Sequence, residues 1–206
     1  MILYDCTPAP SPRRARFFIA EKGLDIPKKE IDLRNGEQFS DVFRAINPRC
    51  IVPVLELDDG TRLTDNASIA RYIEETHPVP PLLGTTALEK ALVAEWNARV
   101  EYEGFLAAAE AVRNRSKGFA GHALTGAKGY EQIPALAERG MARSKDFLTM
   151  LDARLGESRY VAGDFYSVVD ISAVIAVDFI GWLKITIAPE QKNLKRWFDE
   201  ISARPA

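Results

Sequence analysis

The stretch HPVPPLLGT, residues 77–85, holds three prolines and a glycine, and the chain changes character across it. Proline denies a helix or a β-ladder a backbone donor, so a run this rich in it reads as a linker. Before it, apolar residues alternate between strand-like and helix-like spacing. After it, every periodic segment is helical. The division predicts a mixed α/β domain at residues 1–78, a linker at 79–87 and an all-α domain at 88–206. With 206 residues and 47% apolar composition, the chain can bury an ordinary globular core.

In the first part, ILYDC reads as a short apolar strand, and residues 12–23 place Ala15, Phe18, Ile19 and Lys22 at helical spacing before Gly23, a natural residue to follow a helix. KKEIDL is a weaker strand, and a polar, helix-compatible stretch runs to Asn47-Pro48. In CIVPVLELDDGTRLT two apolar segments flank Asp59-Gly60, a strong hairpin signal, and NASIARYIEETH then sets Ile69, Tyr72 and Ile73 on one helical face. The predicted order is βαβαββα, which one small mixed sheet can accommodate. Pro53 is the anomaly. It belongs at a strand edge, or in a cis Val52-Pro53 bond that leaves the Val52 main chain open to an extended ligand.

In the second part, residues 87–113 form a long amphipathic segment with Leu92, Trp96, Val100 and Phe105, and residues 131–155 form another. The Gly-rich segment between them, RSKGFAGHALTGAKGYEQ, reads as a mobile loop. Ser167 and Asp170 have capping-box spacing, with Tyr166 and Ile171 placed as a hydrophobic staple, and the apolar run that follows predicts a buried central helix. NLKRWFDEIS closes the chain as an amphipathic helix.

Several chemistries are set aside. A net charge of −2, with basic residues scattered except at Arg13, Arg14 and Arg16, argues against nucleic-acid or anionic-membrane partners. The opening Met-Ile-Leu-Tyr-Asp has no basic or long apolar leader, and no apolar run reaches spanning length, so the expected location is the cytoplasm. Cys6 and Cys50 are too few for a disulfide scaffold and fit a reducing compartment, with a single bridge between them left open. Dinucleotide, P-loop and nucleophile-elbow signatures are absent, and His77 and His122 lack metal-ligand spacing. His77 reads as a helix-end residue and His122 as a loop residue.

TPAPSPRRARFF, residues 7–18, supports two readings. Ser11 and Pro12 suit the N-cap and first position of a helix. A helix N-terminus carrying a hydroxyl is also a place to hold an anion or a thiolate. Asp65-Asn66, opening another helix, is ambiguous in the same way between capping and ligand binding.

Taken together, Ser11-Pro12, Val52-Pro53, Asp65-Asn66, the linker and the segments WNARVE, YVAGDFYSVVDISA and LKRWFDEISARPA resemble the glutathione transferase superfamily, over nearly the whole chain and closest to bacterial members with a serine-type or atypical active site. The resemblance implies a thioredoxin-like N-terminal domain followed by an all-helical C-terminal domain, glutathione as co-substrate with no metal, a small hydrophobic electrophile as second substrate, a homodimer and a role in detoxification. It implies that Ser11 is catalytic, donating a hydrogen bond to the thiolate, and that a water on the same helix end is the alternative. Val52 and Pro53 would hold the cysteinyl part of glutathione, and Asp65 and Asn66 its γ-glutamyl end.

The sequence departs from the family pattern at NPRCIVP, where Cys50 replaces a glycine and Ile51 a Lys or Gln that often meets the glycyl carboxylate. Arg49 or Arg13 would then supply that contact. Cys6 lies too early to match the catalytic cysteine of other branches. Arg99, Tyr102 and Phe105 are the expected lining of the electrophile pocket between the domains, with Trp96 in core packing. The same thiolate would serve transfer, isomerisation, ether cleavage or thiol reduction, and a dimerising or ligand-holding module without catalysis is a further alternative.

Overall fold

In a computed structural model that describes residues 1–205, the chain divides into two units, Met1–Pro80 with Thr125–Gly129, and Pro81–Leu124 with Tyr130–Pro205. The first unit runs β1 (Ile2–Asp5), α1 (Pro10–Glu21), β2 (Lys28–Glu30), α2 (Asp41–Ile46), β3 (Val54–Glu56), β4 (Arg62–Leu63) and α3 (Asn66–Thr76), the βαβαββα order read from the sequence. The strands align as β2-β1-β3-β4. β1 is parallel to β2 and antiparallel to β3, and the β3–β4 hairpin is antiparallel, with Leu3 opposite Lys28 and Leu55. Edge strand β2 is exposed and reads Lys-Lys-Glu, charges that discourage edge-to-edge pairing. The hairpin turns through Gly60 at φ +85°, a conformation cheap only for glycine.

Helix α1 ends where Gly23 adopts φ +67°. Its N–H and that of Leu24 bond back to Ala20 and Ile19, which satisfies carbonyls the helix would otherwise leave bare. Lys22, at its end, is buried. Its Nζ forms an ion pair with Glu74 at 2.5 Å and donates to the carbonyls of His77 and Pro80, tying α1 to the end of α3. Tyr4, Cys6, Ile31, Phe43, Val52 and Val54 form one core cluster of this unit.

The second unit is helical: α4 (Ala87–Arg99), α5 (Leu106–Arg115), α6 (Pro134–Glu157), α7 (Val168–Gly181) and α8 (Lys192–Ser202). The long segment from residue 87 is continuous, but a π-helical turn at Val100–Phe105 joins α4 to α5. Gly104 lies in that turn because a Cβ there would fall 2.6 Å from the Phe147 ring. Helix α7 is the buried centre the sequence predicts, and its Ser167–Asp170 capping box is formed. Tyr166 packs edge-on to Tyr160 beneath Arg204. The Gly-rich loop, expected to be mobile, is tied down: Arg113 donates to the carbonyls of His122 and Leu124, and Gln132 to those of Arg113 and Ser116. Among the described residues, no helix is long and apolar enough to cross a membrane.

Candidate active site

Helix α1 begins two residues earlier than the Ser11 N-cap reading expects. Ala9 is the extended N-cap, Pro10 stands at N1, Ser11 at N2, and Ser11 makes no capping bond. The reason is that proline costs nothing anywhere in a first turn, where N–H groups lack intrahelical acceptors, so Pro12 does not mark the start any better than Pro10. The Ala9 N–H donates to Cys6 O, a turn that fixes the entry of the helix. Of the four main-chain positions that begin a helix, two are prolines here and one is engaged. Among the described residues, Ser11 thus carries the remaining unpaired N–H of the turn together with a hydroxyl.

The Ser11 hydroxyl meets Asn66. Asn66 Nδ2 donates to Ser11 Oγ at 3.1 Å, in a half-buried setting. Asn66 Oδ1 is buried with no partner among the described residues. Its neighbour Asp65 caps α3: Oδ1 accepts from Ser68 N and Oδ2 from Ser68 Oγ. The capping reading of Asp65 is therefore realised, but a carboxylate has acceptor sites beyond the two used.

Val52–Pro53 is cis, and Pro53 stands just ahead of β3, outside the ladder. The Val52 side chain is anchored in the core cluster, and its main chain makes no hydrogen bond among the described residues. The loop before it is organised by a residue that sequence reasoning passed over. Asn47, 1% exposed, donates from Nδ2 to Ile51 O at 2.8 Å and accepts from Arg49 N at 3.1 Å. Its position in an Asn-Pro pair before a proline-bearing strand was the available signal, since Asn side chains pin turns of this kind. Cys50 sits at φ +56° in the left-handed region, a conformation that glycine adopts without strain.

The three arginines of the opening motif part company. Arg16 clamps Asp5, with one guanidinium nitrogen 2.7 Å from each carboxylate oxygen, and also donates to Thr7 O, so it braces the β1–α1 junction. Arg14 is buried, and Arg13 lies over the Phe17 ring at 4.7 Å. Arg49 is exposed. Burial pushes the Cys6 thiol above its ordinary range, which makes it a protonated core residue rather than a nucleophile. In the helical unit, Arg99 pairs with Glu103 and lies over the Trp96 ring, Tyr102 is 64% exposed, and Phe105 is buried against Phe179. The structure thus joins Ser11 to Asn66 directly, whereas Phe105 has its ring committed to core packing.

Residues 9–76 match the glutathione S-transferase N-terminal domain family and residues 118–205 the glutathione S-transferase C-terminal domain family. Glutathione S-transferase 2 of Saccharomyces cerevisiae is 31% identical, across 100% of this chain and 87% of the relative. A maleylacetoacetate isomerase of Pseudomonas aeruginosa is 36% identical over 44% of each chain. Among solved structures, Gtt2 from Saccharomyces cerevisiae superposes with a TM-score of 0.91 at 31% identity, covering 100% of this chain and 97% of the other. A Gtt2-class glutathione S-transferase of Vibrio parahaemolyticus gives 0.85 at 34% identity, covering 100% and 94%.

Proposed function

This chain belongs to the glutathione S-transferase family, and on that premise we propose that it binds glutathione, stabilises its thiolate and directs it at a small hydrophobic electrophile. The observation that carries the reading is the first turn of α1, where the free N–H and the hydroxyl of one residue, Ser11, coincide and the hydroxyl is held by Asn66. The nucleophile belongs to the substrate. Ser11 keeps its own proton and donates a hydrogen bond to sulfur while the thiol proton leaves to solvent. The sulfur then forms a bond to an electrophilic carbon, and a leaving group departs or a proton is added.

The magnitudes are adequate. A thiol near pKa 8.5 is only a few per cent ionised at neutral pH, and lowering it by about two units requires about 2.7 kcal/mol. One hydrogen bond to a charged sulfur supplies about 1.5–3 kcal/mol and the helix end about 0.3–2 kcal/mol. Val52, through its unpaired main chain, holds the cysteinyl part beside Pro53, and Asp65 and Asn66 hold the γ-glutamyl end. Exposed Arg49 is better placed than Arg13 to meet the glycyl carboxylate that Ile51 cannot bind, because Arg13 is stacked on Phe17. Arg99 and Tyr102 line the electrophile side, the enzyme acts in the cytoplasm, and it works as a homodimer.

The partial match to maleylacetoacetate isomerases supports one second reading, in which the thiolate adds to a double bond, allows rotation and leaves again. Retention on immobilised glutathione followed by a chlorodinitrobenzene conjugation assay tests the main proposal. Retention with turnover is the expected result. Retention with turnover only of a cis-alkene substrate would favour the isomerase, and retention with no turnover of any electrophile would leave a ligand-holding module.

A further inference from the structure

The Ser11–Asn66 contact crosses 55 residues of sequence and joins the first turns of α1 and α3. A side-chain amide can occupy such a site in two orientations. In the one observed, Nδ2 donates to Ser11 Oγ, so the serine oxygen is satisfied as acceptor and its proton is free to be given elsewhere. In the other, the serine proton would be spent on Oδ1 and lost to any sulfur in front. The observed orientation leaves Oδ1 buried and unpartnered among the described residues, a deficit that a bound donor would repair. Glutathione carries such donors in its ammonium and amide N–H groups.

We propose that Asn66 is a positioning residue for the thiol chemistry: its Nδ2 holds the Ser11 hydroxyl with the proton free, and its Oδ1 accepts a donor from the glutathione backbone. Seating the peptide then selects the amide orientation in which Ser11 activates the sulfur. The proposal rests on Ser11 as thiolate donor and goes beyond it, because it couples recognition at one end of the peptide to ionisation at another. A hydroxyl that accepts a hydrogen bond is also the stronger donor, so losing Asn66 weakens Ser11 even where Ser11 stays in place.

The test uses the full chain with Ser11→Ala, Asn66→Ala, the double variant, and Asn66→Asp as a replacement of the same size. Two quantities are read: the ultraviolet thiolate absorption of the glutathione complex against pH, and affinity for S-methylglutathione, whose sulfur cannot ionise. Ser11→Ala is expected to raise the bound thiol pKa by about one unit, a roughly threefold loss of thiolate at neutral pH when the bound thiol starts about two units below 8.5. Asn66→Ala should raise it nearly as far, and the double variant no further than Ser11→Ala alone, because the two act as one device. Asn66→Asp should raise it as well, since a carboxylate captures the serine proton. If Ser11→Ala moves the pKa while both Asn66 variants leave it in place and only weaken S-methylglutathione binding, Asn66 merely grips the peptide and the proposal is overturned. If Ser11→Ala leaves the pKa unmoved, Ser11 is not the donor and both readings fall. If the unmodified chain does not bind S-methylglutathione, glutathione is the wrong ligand.

Discussion

A helix end normally presents four main-chain donors, but at α1 Pro10 and Pro12 remove two and Cys6 O takes a third, leaving Ser11. The prolines were visible in the sequence, and so was the serine. What local signals could not give was the register, because a proline at any first-turn position costs the same, and the Asn66 partner lies 55 residues away. Asp65 is the converse case, a side chain that caps α3 and that we propose also binds glutathione. Serine caps a helix about as well as aspartate but carries no charge. Asp65→Ser should therefore leave the unfolding free energy from chemical denaturation within about 0.5 kcal/mol of the parent, while weakening glutathione binding. Equal affinity in the two proteins would reduce Asp65 to a cap.

Among the elements, α1 and α3 are locked by Lys22, whose buried ammonium faces Glu74 and two carbonyls. Lys22→Met should cost about 3–5 kcal/mol because it strips the neutralising charge from a buried carboxylate, and adding Glu74→Leu should recover much of the loss. Chemical denaturation of both variants checks this, and a single variant as stable as the parent would show the pair to be idle. In the helical unit, Asp170 is fully buried and accepts from Val161 N, Ser167 N, Ser167 Oγ and Trp197 Nε1. Burial pushes its carboxyl from 3.8 up to about 6, against the downward pull of those donors. The folded state then holds a proton that the unfolded state has lost, so stability from this group is fully present below about pH 4 and is lost as pH rises through about 6. The stability difference between the parent and Asp170→Asn should shrink by about 3 kcal/mol over that window, and a difference independent of pH would contradict the assignment. The capping box behind this network was legible, since its spacing is local. The π-turn at Val100–Phe105 was not, because it answers to the close approach of Gly104 and Phe147, 43 positions apart in the chain by their numbers.

For the whole molecule, the Pro-rich linker and the switch from alternating to helical periodicity were enough to foresee two units, an α/β one and a helical one. Asp59-Gly60 and the proline before β3 likewise foretold the hairpin and the open main chain of Val52, because turn chemistry is written in a few adjacent residues. The loop at residues 115–132 is held in a way its local composition does not reveal, since Arg113 of α5 donates to the carbonyls of His122 and Leu124 and the loop's own Gln132 donates back to those of Arg113 and Ser116. The proposed chemistry turns on one outcome, the ionisation of the glutathione thiol at the start of α1. The most direct measurement is a titration of glutathione bound to the unmodified protein, followed by thiolate absorption. The bound thiol should ionise about two units below free glutathione, as about 2.7 kcal/mol of thiolate stabilisation requires, and a bound thiol that titrates with the free one would contradict the account.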